Sequence, residues 1–282
     1  MTSFKKISDL ILFGNIYVAI GTVCLIQSTI VQLGFNNNLL FFSFLSFFAT
    51  LFVYNLQRIF YSPKKDTSLH SVRRKWIFEN QLSIKFIAAI GFLGVAITFF
   101  FNDYKIIFYL SPLLILSIAY FFPSIILRRK TWFKLFTLSL VWTMVTAVVP
   151  IILSQASLVS FPVLIHILTR FCFMIAICIP FDIRDIEIDK TDNISTIPHI
   201  LGENTTRWIA FSFMLVYILL IIIEHDLWMF NRVTYYALMI SAIINLGFVL
   251  MSSSKRSEYF YVAGLDGTMI IQGVLLMIST LF

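Results

Sequence analysis

The chain has 282 residues, of which 59% are hydrophobic and only 12% charged, about half the charged share of an ordinary soluble domain. That composition, with 31 phenylalanines, excludes a soluble globular protein, and the unbroken apolar runs exclude an outer-membrane barrel, whose strands alternate apolar and polar residues. The net charge of +7 would point to nucleic acid in a soluble chain, but here the basic residues fall in short connections between apolar runs and read as topology signals, so no nucleic-acid partner is expected.

A bilayer core requires roughly 20 apolar residues per spanning helix. Windows of that kind predict nine spans, at 8–33, 38–60, 84–101, 104–122, 133–153, 159–180, 207–223, 227–250 and 259–281. The expected fold class is therefore all-α, a polytopic membrane protein with a single transmembrane domain over 1–282. Lys5 and Lys6 precede the first span, but its apolar run continues to about Leu33 without a small-residue cleavage site, so it reads as a membrane helix and not a signal peptide. Cys24, Cys172 and Cys178 all lie within spans and have no ligand-like spacing, which implies neither a disulfide framework nor a zinc site. With the amino terminus inside, eighteen Lys and Arg face the cytoplasm against two outside, Lys105 and Arg232. That asymmetry predicts an odd number of spans and a cytoplasmic amino terminus; a bacterial-type inner membrane is the expected location.

Six of the fourteen acidic residues lie between Asp182 and Glu203, on the side otherwise rich in positive charge. If the sixth helix continues past Pro180, then Asp182, Asp185 and Asp189, at i, i+3 and i+7, share one face and Glu187 points away from it. Three close carboxylates repel one another unless a cation joins them, and oxygen-only ligands at a membrane surface suit Mg²⁺, which takes one or two carboxylates and completes its shell with water and phosphate. The alternative is a solvated acidic turn paired with neighbouring Arg and Lys.

The stretch from Phe181 to Gly202 resembles the second aspartate-rich motif of the UbiA superfamily of membrane prenyltransferases. Asp182, Asp185 and Asp189 match its DxxDxxxD arrangement, and Thr196, Pro198, Leu201 and Gly202 match the turn and the Leu-Gly pair that follow, with Ser195 where many members carry lysine. The resemblance implies a nine-helix bundle in which these three aspartates are catalytic and hold Mg²⁺. It also implies a polyprenyl diphosphate as donor, an aromatic or other lipophilic acceptor within the membrane lipid, and Lys190 among the substrate-binding residues. The family's first motif, NDxxDxxxD, corresponds to the text around Asn55. The asparagine is retained, but Leu56 and Ile59 stand where the first two aspartates would be. Arg58 offers a planar, permanently charged fork that binds phosphate without metal; as a helix-end residue it also reads as a topology anchor. Tyr120, Arg128 and Lys134, in a cluster with Arg129 and Lys130, resemble the tyrosine and basic residues that follow the family's fourth helix. A fold-preserving scaffold that lost the first motif is the rival reading from another class, and a transporter is a weaker third.

Arg170 lies about eleven residues, or roughly 16 Å, from the cytoplasmic end of its span, near the midplane. A charge at that depth is expected to face the bundle interior and to mark a substrate path or a polar cavity. Asp266, at similar depth in the last span, is the predicted partner. His166, one turn from Arg170, and Asn15, Gln27, Asn245 and Gln272 read equally well as hydrogen bonds that hold helices together.

Overall fold

The computed structural model describes residues 3–35, 39–60, 71–121, 131–191, 195–227 and 229–282, and among them every regular element is helical. In chain order the helices are α1 (Ser3–Phe13), α2 (Ile16–Gln32), α3 (Leu40–Phe60), α4 (Val72–Glu79), α5 (Gln81–Phe99), α6 (Ile106–Phe121) and α7 (Thr131–Thr143). They continue with α8 (Val149–Leu153), α9 (Phe161–Arg184), α10 (Ile186–Thr191), α11 (Ile197–Asp226), α12 (Arg232–Met251) and α13 (Gly267–Ser279). A π-helical turn, Met144–Val148, joins α7 to α8, and a second, Phe260–Leu265, leads into α13.

Seven of these stretches are long and apolar enough to cross a membrane. The bent pair α1–α2 makes an eighth, and α6, a shorter apolar helix, stands at the remaining predicted position. The expected helical membrane fold is thus observed, with two of the predicted spans in irregular form. The first is broken by 57° because Asn15 adopts the left-handed conformation, φ 63°, which asparagine tolerates better than most residues. The break exposes the Gly14 carbonyl. Asn55 on α3 donates to it at 2.9 Å, donates to the Leu51 carbonyl at 2.8 Å, and accepts from the Asn15 amide at 3.3 Å. A buried kink with its polar groups satisfied in this way is stable in a setting where water cannot help.

The main core gathers side chains of α2, α7, α9, α11, α12 and α13 around α9, whose Phe173, Met174, Ile175, Ala176, Ile177 and Ile179 are almost wholly buried. Helix α9 packs along α11, α3 along α5, and α2 along α13. Glycine permits close approach in these pairs: a Cβ on Gly91 of α5 would sit 2.7 Å from the Phe52 backbone nitrogen of α3. Large apolar side chains such as Phe86, Phe92, Leu93 and Ile97 of α5 and Leu215, Val216 and Leu219 of α11 point outward. An outward apolar surface of this extent matches a lipid surround.

The predicted pairing of Arg170 with Asp266 is not what forms. Arg170 is 2% exposed and donates to the Leu25 carbonyl, Ser28 Oγ and Thr29 Oγ1 at 3.1–3.3 Å. The acids and hydroxyls whose charge it feels are Glu224 and Tyr217. Glu224 is wholly buried, 3.6 Å from His166 Nδ1. The sequence reading ended the seventh span at 223, whereas α11 runs on to Asp226 and turns Glu224 inward. Asp266 instead begins α13 after the π turn, at the end of the bundle where Arg58, Arg73 and Arg184 lie within electrostatic reach.

Candidate functional site

The site forms where α9 ends. Helix α9 stops at Arg184, Asp185 takes non-helical angles (φ −88°, ψ 9°) as its C-cap, and α10 restarts at once, with the Asp189 amide donating to the Asp185 carbonyl at 2.8 Å. The sequence reading assumed one continuous helix and a single carboxylate face. The break instead sorts the three aspartates into two groups.

Asp182 and Asp189 converge on Lys134 in the first turn of α7, whose ammonium donates to Asp182 Oδ1 at 2.6 Å and to Asp189 Oδ2 at 3.2 Å. Both carboxylates are nearly buried, 7% and 5% exposed. Burial pushes Asp189 above the ordinary carboxylate range; Lys134 pulls the other way, and the negative charges of Asp185 and Asp182 add to the rise. Asp185 faces α4. It receives a two-pronged pair from Arg184 (2.8 and 2.7 Å) and a further bond from Arg73 (3.2 Å). Burial alone would raise its carboxyl, but the Arg184 and Arg73 guanidiniums hold it well below the usual carboxylate range.

A second layer closes this arginine group. Glu258, in the connection ahead of the last π turn, accepts a short bond from Ser71, the N-cap of α4. Its other oxygen lies 3.6 Å from Arg73 Nε and 3.8 Å from Arg184 Nε. Arg184 also stacks over Phe181, 4.8 Å from the ring centre. Arg58, in the last turn of α3, lies within electrostatic reach of Arg73, Arg184, Glu258 and Asp266.

Sequence reasoning identified Asp182, Asp185, Asp189, Lys134 and Arg58, and the structure brings all five to this end of the bundle. It missed Arg73, Arg184, Glu258 and Asp266 as neighbours of the site. Arg184, inside the motif itself, was the one with a local signal; Arg73 and Glu258 meet only through the tertiary fold. Asn55 is wholly buried and its amide is spent on the α1–α2 break, so the geometry corrects its expected substrate contact to a scaffolding one. Arg170 is twelve residues before Asp182 on α9, about 18 Å away along the helix, and lies apart from this site. Lys190 is exposed on α10. Arg128 lies outside the described residues, and for Tyr120 only its place on α6 is described.

Among the described residues no three His, Cys, Asp or Glu side chains gather as a metal-binding group, and Asp185 stands on the arginine side, apart from Asp182 and Asp189. A pair does meet: the Lys134 ammonium marks one point to which Asp182 and Asp189 both present oxygen. Two carboxylates with remaining positions for water and phosphate oxygen fit what Mg²⁺ requires. Lys134 and a divalent ion compete for that point, and at the first-motif positions Leu56 and Ile59 offer no ligand.

The family model of the UbiA prenyltransferase family matches residues 77–262, a segment that includes all three aspartates and begins after the degenerate first motif. No curated protein sequence matches the chain. Among solved structures, a UbiA homologue from Archaeoglobus fulgidus bound to GPP and Mg²⁺ superposes with a TM-score of 0.65 at 10% identity, over 96% of this chain and 100% of that one. A UbiA homologue from Aeropyrum pernix K1 gives 0.61 at 15% identity, covering 93% and 98% of the two chains, and a structure of digeranylgeranylglyceryl phosphate synthase gives 0.58 at 15%, covering 98% of each. The helical fold, its apolar spans and the matched segment lead to one assignment: this chain is an integral membrane protein that belongs to the UbiA prenyltransferase family.

Proposed function

We propose that the protein transfers a prenyl group from a polyprenyl diphosphate to an aromatic or other lipophilic acceptor in the bilayer. The observation that carries this reading is the convergence of Asp182 and Asp189 on one cation position, beside a carboxylate held by two arginines, all at one end of the bundle. A diphosphate needs concentrated positive charge at its oxygens, and Lys134, Arg73 and Arg184 bring it to this end of the bundle. The UbiA homologue of Archaeoglobus fulgidus, whose structures are bound to GPP and Mg²⁺ and to DMAPP and Mg²⁺, supports the same class of donor.

In the proposed reaction the allylic C–O bond breaks, diphosphate departs with the bonding pair, and the allylic carbocation alkylates the acceptor, which gives up a proton to solvent or to the departing anion. Asp182 and Asp189 would hold Mg²⁺, whose charge, when bound, stabilises the leaving group. Lys134 is the cation on these carboxylates, and its ammonium would be left to bond the diphosphate if a metal ion held them instead. Arg184 keeps Asp185 ionised and fixed, which sets the wall of the site on the α4 side. The aspartate end faces the cytoplasm on this reading, as the excess of basic residues on that side supports.

The absence of carboxylates at Leu56 and Ile59 favours a second reading, a non-catalytic member that binds prenyl lipids. The two separate by experiment. Membranes containing the full chain, given radiolabelled prenyl diphosphates of several lengths and extracted for lipid, should yield label in a new lipophilic product, and Asp182→Asn and Asp189→Asn should abolish it. Retained binding of the labelled donor with no transfer to any lipid would establish the scaffold reading.

A further inference from the structure

At the aspartate end three arginines, Arg58, Arg73 and Arg184, share the field of three carboxylates, Asp185, Glu258 and Asp266, yet not every guanidinium donor finds a hydrogen-bond partner. Arg184 is fully committed to Asp185 through its two-pronged pair. Arg58 and Arg73 are not. Among the described residues, Arg58 Nη1 and Arg73 Nε are buried nitrogens without a hydrogen-bond partner, the latter only loosely approached by Glu258 at 3.6 Å. Leaving a buried charged donor unpaired costs more than an ordinary hydrogen bond returns. These two guanidiniums come from different elements, the last turn of α3 and the first turn of α4, yet Arg58 lies within the field of Arg73, as it does of Arg184, Glu258 and Asp266. Two buried guanidiniums at one end of the bundle, each with a donor to spare, fit an anion with several oxygens. Arg58 stands one residue from Ile59, where the family's first motif would carry a carboxylate for metal.

We infer that Arg58 and Arg73 form a metal-free anion fork that takes phosphate oxygens of the diphosphate at the first-motif side of the site, in place of a second cation. The inference rests on the prenyl diphosphate reading above and adds how this chain holds that substrate despite its missing carboxylates. The division of labour is then asymmetric. Asp182 and Asp189 work through a cation, whereas the fork binds directly, so part of the affinity for the anion survives removal of divalent metal.

The test uses inorganic pyrophosphate as the probe and the full chain in detergent micelles, titrated by calorimetry with Mg²⁺ or with a chelator. Binding is expected in both conditions, tighter with Mg²⁺. Under chelation, Arg58→Gln and Arg73→Gln should each weaken it roughly tenfold or more, the loss expected for one charged hydrogen-bonding group. Lys75→Gln, on the exposed face of α4 beside Glu79, should leave it unchanged. Arg58→Lys keeps charge and fold but loses the planar fork, and should fall between the parent and Arg58→Gln, which guards against misreading an unfolded variant; a thermal melt of each protein accompanies the titration. Binding that requires Mg²⁺, or that falls equally in Lys75→Gln, overturns the fork while leaving the prenyl diphosphate reading intact. Absence of pyrophosphate binding in both conditions overturns both.

Discussion

Asp185 and Asp189 stand one helical turn apart and are held in opposite electrostatic states. Burial raises both, but two guanidiniums reverse the effect at Asp185, whereas at Asp189 one ammonium shared with Asp182 does not. The sign for stability follows. A carboxyl depressed in the folded state contributes stability above its unfolded value, near 3.9, and loses it as pH falls through the folded value. Asp185→Asn should therefore lower thermal stability in detergent at neutral pH by about 2 kcal/mol, the cost of stranding buried arginines, and the gap to the parent should close as pH drops below about 4. Asp189 has the opposite sign: its ionised form is disfavoured in the fold, so Asp189→Asn should melt at or above the parent temperature at pH 7 while losing Mg²⁺-dependent pyrophosphate binding. A melt that falls in both variants alike would contradict this split. The identity of the three aspartates was legible in the sequence because their spacing is local. Their sorting into two groups was not, since it depends on a helix break at Asp185 and on partners from α4 and α7.

The first-motif asparagine illustrates the same limit at the level of elements. Asn55 occupies the retained motif position, yet its amide serves the bend between α1 and α2. Asn55→Ala would leave the Gly14 carbonyl without its donor in a dry interior, at a cost of about 1–3 kcal/mol. At Asn15, with φ 63°, Gly adopts the angle without strain and should be tolerated, whereas a β-branched residue such as Val should destabilise by more than Ala does at Asn55. Thermal unfolding of the three variants in one detergent checks the order, and an Asn15→Val protein as stable as Asn15→Gly would show that the bend is not fixed by this residue. Span positions were legible because apolar length is a strong signal. Bends and π turns were not, because each is set by a few polar atoms that leave no trace in the hydropathy of the window. The kink at Gly202 (φ 79°) falls on the motif's Leu-Gly pair, which the sequence identified as motif and not as a bend.

Two sets of charged and polar groups lie along α9, one where it ends and one about its middle. One set, around Lys134, Arg73 and Arg184, borders the proposed substrate site; the other is sealed in the bundle around Arg170, Glu224 and His166, at 2%, 0% and 1% exposure. The sealed set is tied to α2 through Ser28 and Thr29, and Gln272 of α13 reaches the same Ser28 hydroxyl at 3.1 Å, so it links helices that are distant in sequence. A charge at such depth is retained only with an opposite charge nearby. Arg170→Met should accordingly destabilise the protein by about 3–5 kcal/mol, because it leaves Glu224 buried without its counter-charge. Adding Glu224→Gln should restore a substantial part of that loss, while adding Asp266→Asn should restore none, since Asp266 answers to the arginines of the other set. Double-mutant cycles read from melting in detergent measure both couplings. The Arg170→Met, Glu224→Gln protein offers a second check on the separation of the two sets: folded, it should bind pyrophosphate as the parent does. Coupling of Arg170 to Asp266 equal to its coupling to Glu224, or loss of pyrophosphate binding in that double variant, would mean that the sealed set and the site act as one unit.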